Sequence, residues 1–321
     1  MTQEPLLTVN GLKTYFPFGN RWTGQRSSVR AVDGVDFTLD RGEVYGLVGE
    51  SGSGKTTLGR SVLRLVEPTT GTVRFDGLEL TTLSMRKLRP LRRRLQIVFQ
   101  DPYSSLSPRM QIRRVIAEPM RLHGLLDKKQ EPRTVAALLE AVGLEPYFMH
   151  RYPHEMSGGQ RQRIAIARAL SCDPDLLVAD EPVSALDVSV QAQVLKILFQ
   201  LQRERGIAML FISHDLSVVE RVADRVGVMY LGRIVEEAPA EQLMREPLHP
   251  YTQALFSAVP EPVPGKKRER IQLRGQRPSM TEELPGCPFA SRCPEAQDVC
   301  ALSVPPLESK KPGHRVACLF R

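Results

Sequence analysis

The 321-residue sequence lacks any apolar run long enough to cross a bilayer. Its longest uncharged stretch near the C-terminus, Pro247 to Pro260, is broken by prolines and falls short of the roughly 20 apolar residues a membrane-spanning helix needs. The start, Met1-Thr2-Gln3-Glu4-Pro5, has neither the basic nor the apolar region of a secretory signal, so the expected location is cytoplasmic. Cysteine is scarce, with 5 in all, and thiols in a reducing compartment are poor disulfide candidates. Four of them fall from Cys287 onward, a crowding that suits a ligand set better than covalent staples. No internal repeat is evident. With 41% hydrophobic and 25% charged residues, the chain is ordinary globular material, long enough for one large core and a smaller appended unit.

The formal net charge of +8 would suit nucleic acid, an anionic membrane face or phosphorylated ligands, and it does not choose among them. The densest basic run, Arg86-Lys87-Leu88-Arg89-Pro90-Leu91-Arg92-Arg93-Arg94, could grip phosphates. The commoner meaning of such a run is a solvated face, or a patch lying near anionic headgroups.

Short strands are expected at Leu6–Val9 and Ala31–Leu39, separated by a loop containing Trp22. Three apolar runs, Val44–Val48, Leu176–Ala179 and Ala208–Ile212, have the character of parallel strands covered on both faces, with ligands bound at their carboxyl ends. That pattern predicts α/β architecture. From about Pro102 to Met156 the signals are helical, with Val135, Leu138, Leu139 and Val142 at i, i+3, i+4 and i+7. After Ile234 the pattern loosens, and Pro260 to Arg270 reads as an exposed linker to the cysteine-containing tail.

Gly49-Glu50-Ser51-Gly52-Ser53-Gly54-Lys55-Thr56 fits G-x-x-x-x-G-K-[ST] between a predicted strand and a predicted helix, the context that pattern requires. Its glycines let successive backbone N–H groups and the helix N-terminus face phosphate oxygens. The Lys55 ammonium then reaches the β- and γ-phosphates, and the Thr56 hydroxyl is offered to Mg²⁺. Asp180 and Glu181 emerge together from the run Leu176–Ala179. Alone such a pair is a turn. Beside a phosphate cradle, Asp180 is placed for the Mg²⁺ shell and Glu181 to polarise the water that attacks the γ-phosphate.

Ser157-Gly158-Gly159-Gln160-Arg161-Gln162-Arg163 opens a helical stretch, Ile164 to Leu170, with Ser157 as a favoured N-cap. Taken with the cradle and the carboxylate pair, it resembles the signature motif of the ABC ATPase family. In that family Ser157, Gly158, Gly159 and Gln160 would contact the γ-phosphate bound by the opposite subunit. The resemblance extends further, and Gln100 is similar to the glutamine that senses Mg²⁺ and the attacking water. Ser184-Ala185-Leu186-Asp187 resembles the D-loop, with Ser184 and Asp187 linking the two active sites, and His214 resembles the switch histidine on the γ-phosphate. A histidine ending a strand is by itself more often structural, so this role rests on the resemblance. Phe16 is similar to the aromatic that stacks on adenine, with Tyr15 the competing choice. The implied nucleotide-binding set is Phe16, Gly49, Ser51, Gly52, Ser53, Gly54, Lys55, Thr56, Thr57 and Asp180. Thr56, Gln100 and Asp180 serve Mg²⁺, and Glu181, His214, Gln100 and Lys55 are catalytic.

Gln100 to Arg109, His249 to Leu255 and the tail cysteines resemble the ATP-binding subunits of oligopeptide and dipeptide importers over nearly the whole chain. That resemblance implies an α/β P-loop NTPase (RecA-like) core with an antiparallel β subdomain and an inserted helical subdomain at about 102–165. It places an ATPase domain at 1–240 and a small cysteine-rich C-terminal extension at 241–321. It also implies a second, usually non-identical ATPase subunit, two membrane permease subunits and an extracytoplasmic peptide-binding protein, with the chain peripheral on the cytoplasmic face of the inner membrane. No nucleic acid is expected as a partner.

Cys287, Cys293, Cys300 and Cys318 are separated by five, six and seventeen residues, without the tight C-x₂₋₄-C loop usual in zinc sites. Four thiolates can equally hold an iron–sulfur cluster. The importer resemblance implies a [4Fe–4S] cluster in preference to Zn²⁺, with free thiols the remaining alternative, and Cys172 reads as core packing. The rival from another class is a DNA-repair or translation ABC ATPase with a cysteine-rich nucleic-acid module. Only about a hundred residues separate the cradle from Ser157, which leaves no room for the long coiled coil of chromosome-type relatives.

Overall fold

The computed structural model describes residues 4–18, 27–127, 129–258, 271–273 and 275–321, so the Trp22 loop and the linker expected at Pro260 to Arg270 lie outside the described residues. The chain divides into two units. The first is Met1–Thr38, Val44–Thr81 and Ser213–Arg321; the second is Leu39–Glu43 and Thr82–Ile212.

In the first unit, one sheet runs in the order Ser27–Leu39, Leu7–Phe18, Thr70–Phe75, Leu78–Glu79. Leu7 pairs with Phe75 and Val9 with Val73, antiparallel, until the register shifts between Asn10 and Lys13. Leu7 and Val9 are buried before that irregularity and Leu12 and Thr14 after it. One extra residue moves the inward face from odd to even positions. Gly71 faces the irregularity so closely that a Cβ there would lie 2.4 Å from the Gly11 carbonyl oxygen.

A second sheet in this unit runs Val44–Val48, Arg225–Tyr230, Arg233–Pro239, His314–Val316, Glu308–Lys311 among the described residues. Val44–Val48 is buried at every position and pairs in parallel with Arg225–Tyr230, which accounts for its unbroken apolar composition. Arg225–Tyr230 and Arg233–Pro239 form a hairpin whose two turn residues, Leu231 and Gly232, have φ of 44° and 80°. Positive φ at both central positions matches the right-handed twist of the flanking strands.

The expected loosening after Ile234 is not found. The strand continues to Pro239, followed by helices Ala240–Arg245 and Pro250–Ser257. Glu236 and Glu237 are buried in that strand because their partners come from far along the chain. Glu236 accepts from the Leu248 and His249 N–H groups at 2.6 and 3.0 Å and meets His314 Nε2 at 2.7 Å. Glu237 lies 3.4 Å from Arg225 and 3.3 Å from Arg315, and burial nonetheless pushes its carboxyl pKa up.

The second unit carries three parallel strands among the described residues, Leu95–Val98, Leu176–Asp180 and Ala208–Ile212, with Leu176–Asp180 in the middle. Helices Pro102–Ser105, Ile112–Leu122 and Glu131–Ala141 occupy the stretch expected to be helical, with single turns at Pro146–His150 and Pro153–Glu155, and helix Gly158–Leu170 follows it. Val135, Leu139 and Val142 are buried there and Leu138 half-buried, as the i, i+3, i+4, i+7 spacing predicts. Cys172 is buried, as core packing requires. In the basic run only Leu88 is buried, while Arg86, Lys87, Arg89 and Arg93 are exposed, which fits the solvated-face reading. No helix among the described residues is long and apolar enough to cross a membrane.

Candidate functional site

The Gly49–Thr56 loop leaves the buried strand Val44–Val48 and enters helix Lys55–Val62. Gly49, Gly52 and Gly54 have φ of 149°, 72° and 106°, values that L side chains rarely adopt. Space is equally restrictive, since a Cβ on Gly49 would lie 2.2 Å from the Met229 carbonyl oxygen and one on Gly54 1.9 Å from that of Ala31. The hairpin braces the loop from beneath, with the Gly232 N–H donating to Ser53 O at 2.9 Å. Lys55 Nζ curls back to donate to the carbonyls of Gly49 and Glu50 at 2.8 and 2.9 Å, and reaches Ser53 Oγ at 3.5 Å. The ammonium is thereby held in a ring of oxygens at a helix N-terminus, where anions are favoured. Ser53 and Lys55 are buried, Gly54, Thr56 and Thr57 half-buried, and Ser51 and Gly52 exposed.

Also in the first unit, Phe16 is 41% exposed, whereas its rival Tyr15 is engaged. The Tyr15 hydroxyl donates to Asp33, and the Arg30 guanidinium lies 5.6 Å from the ring centre. Burial, then the Asp33 carboxylate, pushes the Tyr15 pKa up to about 12. Of the two, Phe16 is the more exposed ring. His214 follows Ser213, whose N–H donates to Leu47 O at 3.1 Å at the end of the cradle strand, and the His214 side chain is exposed.

The second unit brings together the acidic and signature residues. Asp180 ends the central strand, 1% exposed. Glu181 follows with φ of 44°, a left-handed conformation of the kind that persists at functional sites when its surroundings enforce it. Its N–H donates to Ile212 O at 3.0 Å, and its Oε2 accepts from Gln100 Nε2 at 2.9 Å.

Ser157 caps helix Gly158–Leu170: its Oγ accepts from the Gln160 N–H at 3.3 Å, and the Gln160 side-chain oxygen accepts from the Ser157 N–H at 3.0 Å. Arg161 fixes the helix start by donating to Pro153 O at 2.5 Å, with its guanidinium 3.8 Å from the Tyr103 ring centre. Leu186 and Val190 pack onto this cap. A Cβ on Gly159 would come 2.4 Å from Val190 Cγ1, and one on Gly158 3.2 Å from Leu186 Cδ2. Ser184 donates from Oγ to Glu181 O at 3.2 Å, and Asp187 stands at the N-cap position of helix Val188–Arg205.

Cys287, Cys293, Cys300 and Cys318 are free thiols that line one cavity of about 130 Å³ together with His249, Phe289 and Glu295. Burial first, and then the neighbouring thiols Cys300, Cys318 and Cys293, push the Cys287 pKa up to about 11. Burial, with Glu295, Cys318 and Cys300, raises that of Cys293. Among the described residues no three His, Cys, Asp or Glu side chains converge to hold a single metal ion.

Sequence reasoning missed the residues that hold the cradle from the far end of the chain. Tyr251 Oη accepts from the Glu50 N–H at 2.9 Å, Arg292 grips the Glu50 carboxylate, and Arg277 Nη1 donates to Ser51 O at 2.5 Å. Tyr251 sits in the His249–Leu255 motif already singled out, but nothing in the local pattern points that motif at the cradle.

Strand, glycine loop, helix and strand-end carboxylates define an α/β P-loop ATPase. Residues 32–184 match the family model for ABC transporter, and residues 235–300 that for Oligopeptide/dipeptide transporter, C-terminal region. The chain belongs to the ATP-binding proteins of the ABC transporter family, and it is an ATP-hydrolysing subunit. It is 53% identical over 99% of both chains to a putative peptide import ATP-binding protein of Brucella ovis. It is also 53% identical to the putative oligopeptide transport ATP-binding protein YkfD of Bacillus subtilis, covering 100% of this chain and 97% of that one. Among solved structures, the ATP-binding cassette MJ0796, a dimeric post-hydrolysis state bound to ADP and Pi, matches with a TM-score of 0.66 at 26% identity. The match covers 73% of this chain and 98% of MJ0796. These relatives give no support to the nucleic-acid alternative.

Proposed function

We propose that the chain powers peptide import as the ATP-hydrolysing subunit of a membrane transporter. The observation that carries this reading is the 53% identity, over 99% of the chain, to a putative peptide import ATP-binding protein, with residues 235–300 in the matching C-terminal region. Within it, Phe16 stacks on adenine, and Gly49, Ser51, Gly52, Ser53, Gly54, Lys55, Thr56 and Thr57 hold the phosphates. Thr56, Gln100 and Asp180 would hold Mg²⁺, which when bound neutralises charge on the β- and γ-phosphate oxygens. The left-handed glycines and the ring of oxygens around the Lys55 ammonium fit such a phosphate site.

Glu181 orients water and accepts its proton as the water oxygen bonds the γ-phosphorus. The bond to the β–γ bridging oxygen breaks, giving ADP and phosphate, and His214 hydrogen-bonds the γ-phosphate. Ser157, Gly158, Gly159 and Gln160 contact the nucleotide of a partner ATPase, non-identical in this reading, with Ser184 and Asp187 linking the two sites. ATP would favour the closed pair only through contacts made in that state, and the partner's signature supplies them. MJ0796, whose dimer holds ADP and Pi, supports pairing in a hydrolytic cycle.

The other partners are two permease subunits and an extracytoplasmic peptide-binding protein, with this chain peripheral on the cytoplasmic face of the inner membrane. We assign residues 1–240 to the ATPase domain and 241–321 to the transporter-specific extension. For the four cysteines we favour a [4Fe–4S] cluster, since four thiols around one cavity suit a cluster better than a lone Zn²⁺ with bonds of about 2.3 Å. Iron and sulfide assays on anaerobically purified protein test this, and zinc alone would overturn it.

Affinity purification from membranes tests the function. Co-purifying permease subunits, with peptide uptake lost in Lys55→Ala cells, is the expected result. Salt-sensitive DNA or RNA with no permease would overturn it.

A further inference from the structure

Glu50, the second residue of the phosphate loop, is held by residues more than 200 positions away. Its N–H donates to Tyr251 Oη at 2.9 Å across 201 residues. Its carboxylate accepts a fork from Arg292, with Nη1 to Oε2 at 3.0 Å and Nη2 to Oε1 at 3.2 Å, across 242 residues. The Glu50 carbonyl, in turn, accepts from Lys55 Nζ at 2.9 Å. One residue thus carries the distant guanidinium on its side chain and the phosphate-binding ammonium on its backbone.

The anchor behind Arg292 is stiff. Its Nη1 also reaches Tyr230 Oη at 3.4 Å, and Tyr230, Tyr251 and Phe289 pack together with ring centres 4.6 to 5.4 Å apart. The Arg292 and Glu50 side chains are 12% and 30% exposed, so their forked pair competes with little water. A two-point fork fixes direction as well as distance and, together with the Tyr251 bond to the Glu50 N–H, restrains the residue that presents its carbonyl to Lys55. Without the fork, Glu50 and the Lys55 ammonium it helps to aim gain alternatives, and ATP must order them on binding.

We propose that Arg292 is a positioning residue for nucleotide binding, setting the Lys55 end of the cradle through Glu50. This rests on the cradle being the ATP phosphate site. Arg292 touches no reacting atom, so its removal acts on the bound ground state and the transition state alike, which appears in KM rather than kcat.

The test measures ATPase KM and kcat, with ATP affinity by equilibrium binding, on full-length wild type, Arg292→Ala, Arg292→Lys, Glu50→Ala and the Arg292→Ala/Glu50→Ala double variant, with Lys55→Ala as control. Arg292→Ala should raise the KM for ATP about 10-fold, the scale of a lost charge-assisted hydrogen bond, with kcat changed less than about 2-fold. Arg292→Lys, which keeps the charge and one bond, should recover part of the loss. The double variant should be no worse than the poorer single one, because both remove the same link.

A folded Arg292→Ala protein with wild-type KM and a lowered melting temperature would mean that Arg292 only fastens the tail, and would overturn the proposal. Should Arg292→Ala not fold, Glu50→Ala leaves the aromatic anchor in place and decides alone, an unchanged KM again overturning it. The cradle reading fails separately, in a Lys55→Ala variant that binds ATP as the wild type does.

Discussion

Gln100 Nε2 donates to Glu181 Oε2 at 2.9 Å, joining residues 81 positions apart. The two leave adjacent parallel strands, in which Val98 pairs with Ala179, so both side chains emerge at the same carboxyl edge. The hydrogen bond orients a carboxylate whose backbone already sits at φ 44°. Glu181→Gln keeps the shape and an oxygen for Gln100 but cannot take a proton. Turnover should fall about 10²- to 10⁴-fold, the usual contribution of a general base. ATP binding should persist, and phosphate release together with equilibrium nucleotide binding check both halves.

Gly54→Ala should destroy the cradle where another glycine tolerates the same change. Its Cβ would lie 1.9 Å from the Ala31 carbonyl oxygen, at a φ of 106°. Gly77, at φ 76° with nothing within 4 Å of a Cβ, carries only the backbone strain, about 1–3 kcal/mol. Thermal unfolding with and without ATP separates them: Gly77→Ala keeps the nucleotide-induced shift and Gly54→Ala loses it.

Acid should act on the helical part through Glu131. Burial raises its carboxyl pKa, but hydrogen bonds and charge from Arg121 and Arg113 outweigh burial and hold it below the usual 4.5. The folded state therefore binds fewer protons than the unfolded one. The stabilisation is in place above about pH 4.5 and is lost as pH falls through the lower folded value. Glu131→Gln should cost about 1–3 kcal/mol near neutrality, less than a fully buried pair because both arginines stay partly hydrated. Below pH 4.5 the variant should approach the wild type, as unfolding midpoints across pH would show.

The central strands and the loops at their ends were legible because their information is local. Val44–Val48 and Ala208–Ile212 are apolar throughout, and Ser157 to Gln160 contains both halves of its own cap. Arg233–Pro239 was not legible past Ile234, because Glu236 and Glu237 read as solvent-facing until His314, Arg225 and Arg315 are beside them. Phe16 and Tyr15 are alike in type, and only the fold shows the Tyr15 hydroxyl engaged by Asp33 while Phe16 is exposed. The grip of Arg292 on Glu50 had no local signal, since an arginine beside a cysteine says nothing about a loop 242 residues earlier.

That sequence distance has a consequence for biosynthesis. The loop is translated early, yet Met229, Gly232, Tyr251, Arg277 and Arg292, which pack against it, come much later. At about 5–20 residues per second, the ribosome leaves the loop without these braces for roughly ten seconds or more. A nascent chain stalled before Tyr251 would carry every residue of the glycine motif and still lack Tyr251, Arg277 and Arg292, so the set of braces is complete only with the last quarter of the polypeptide.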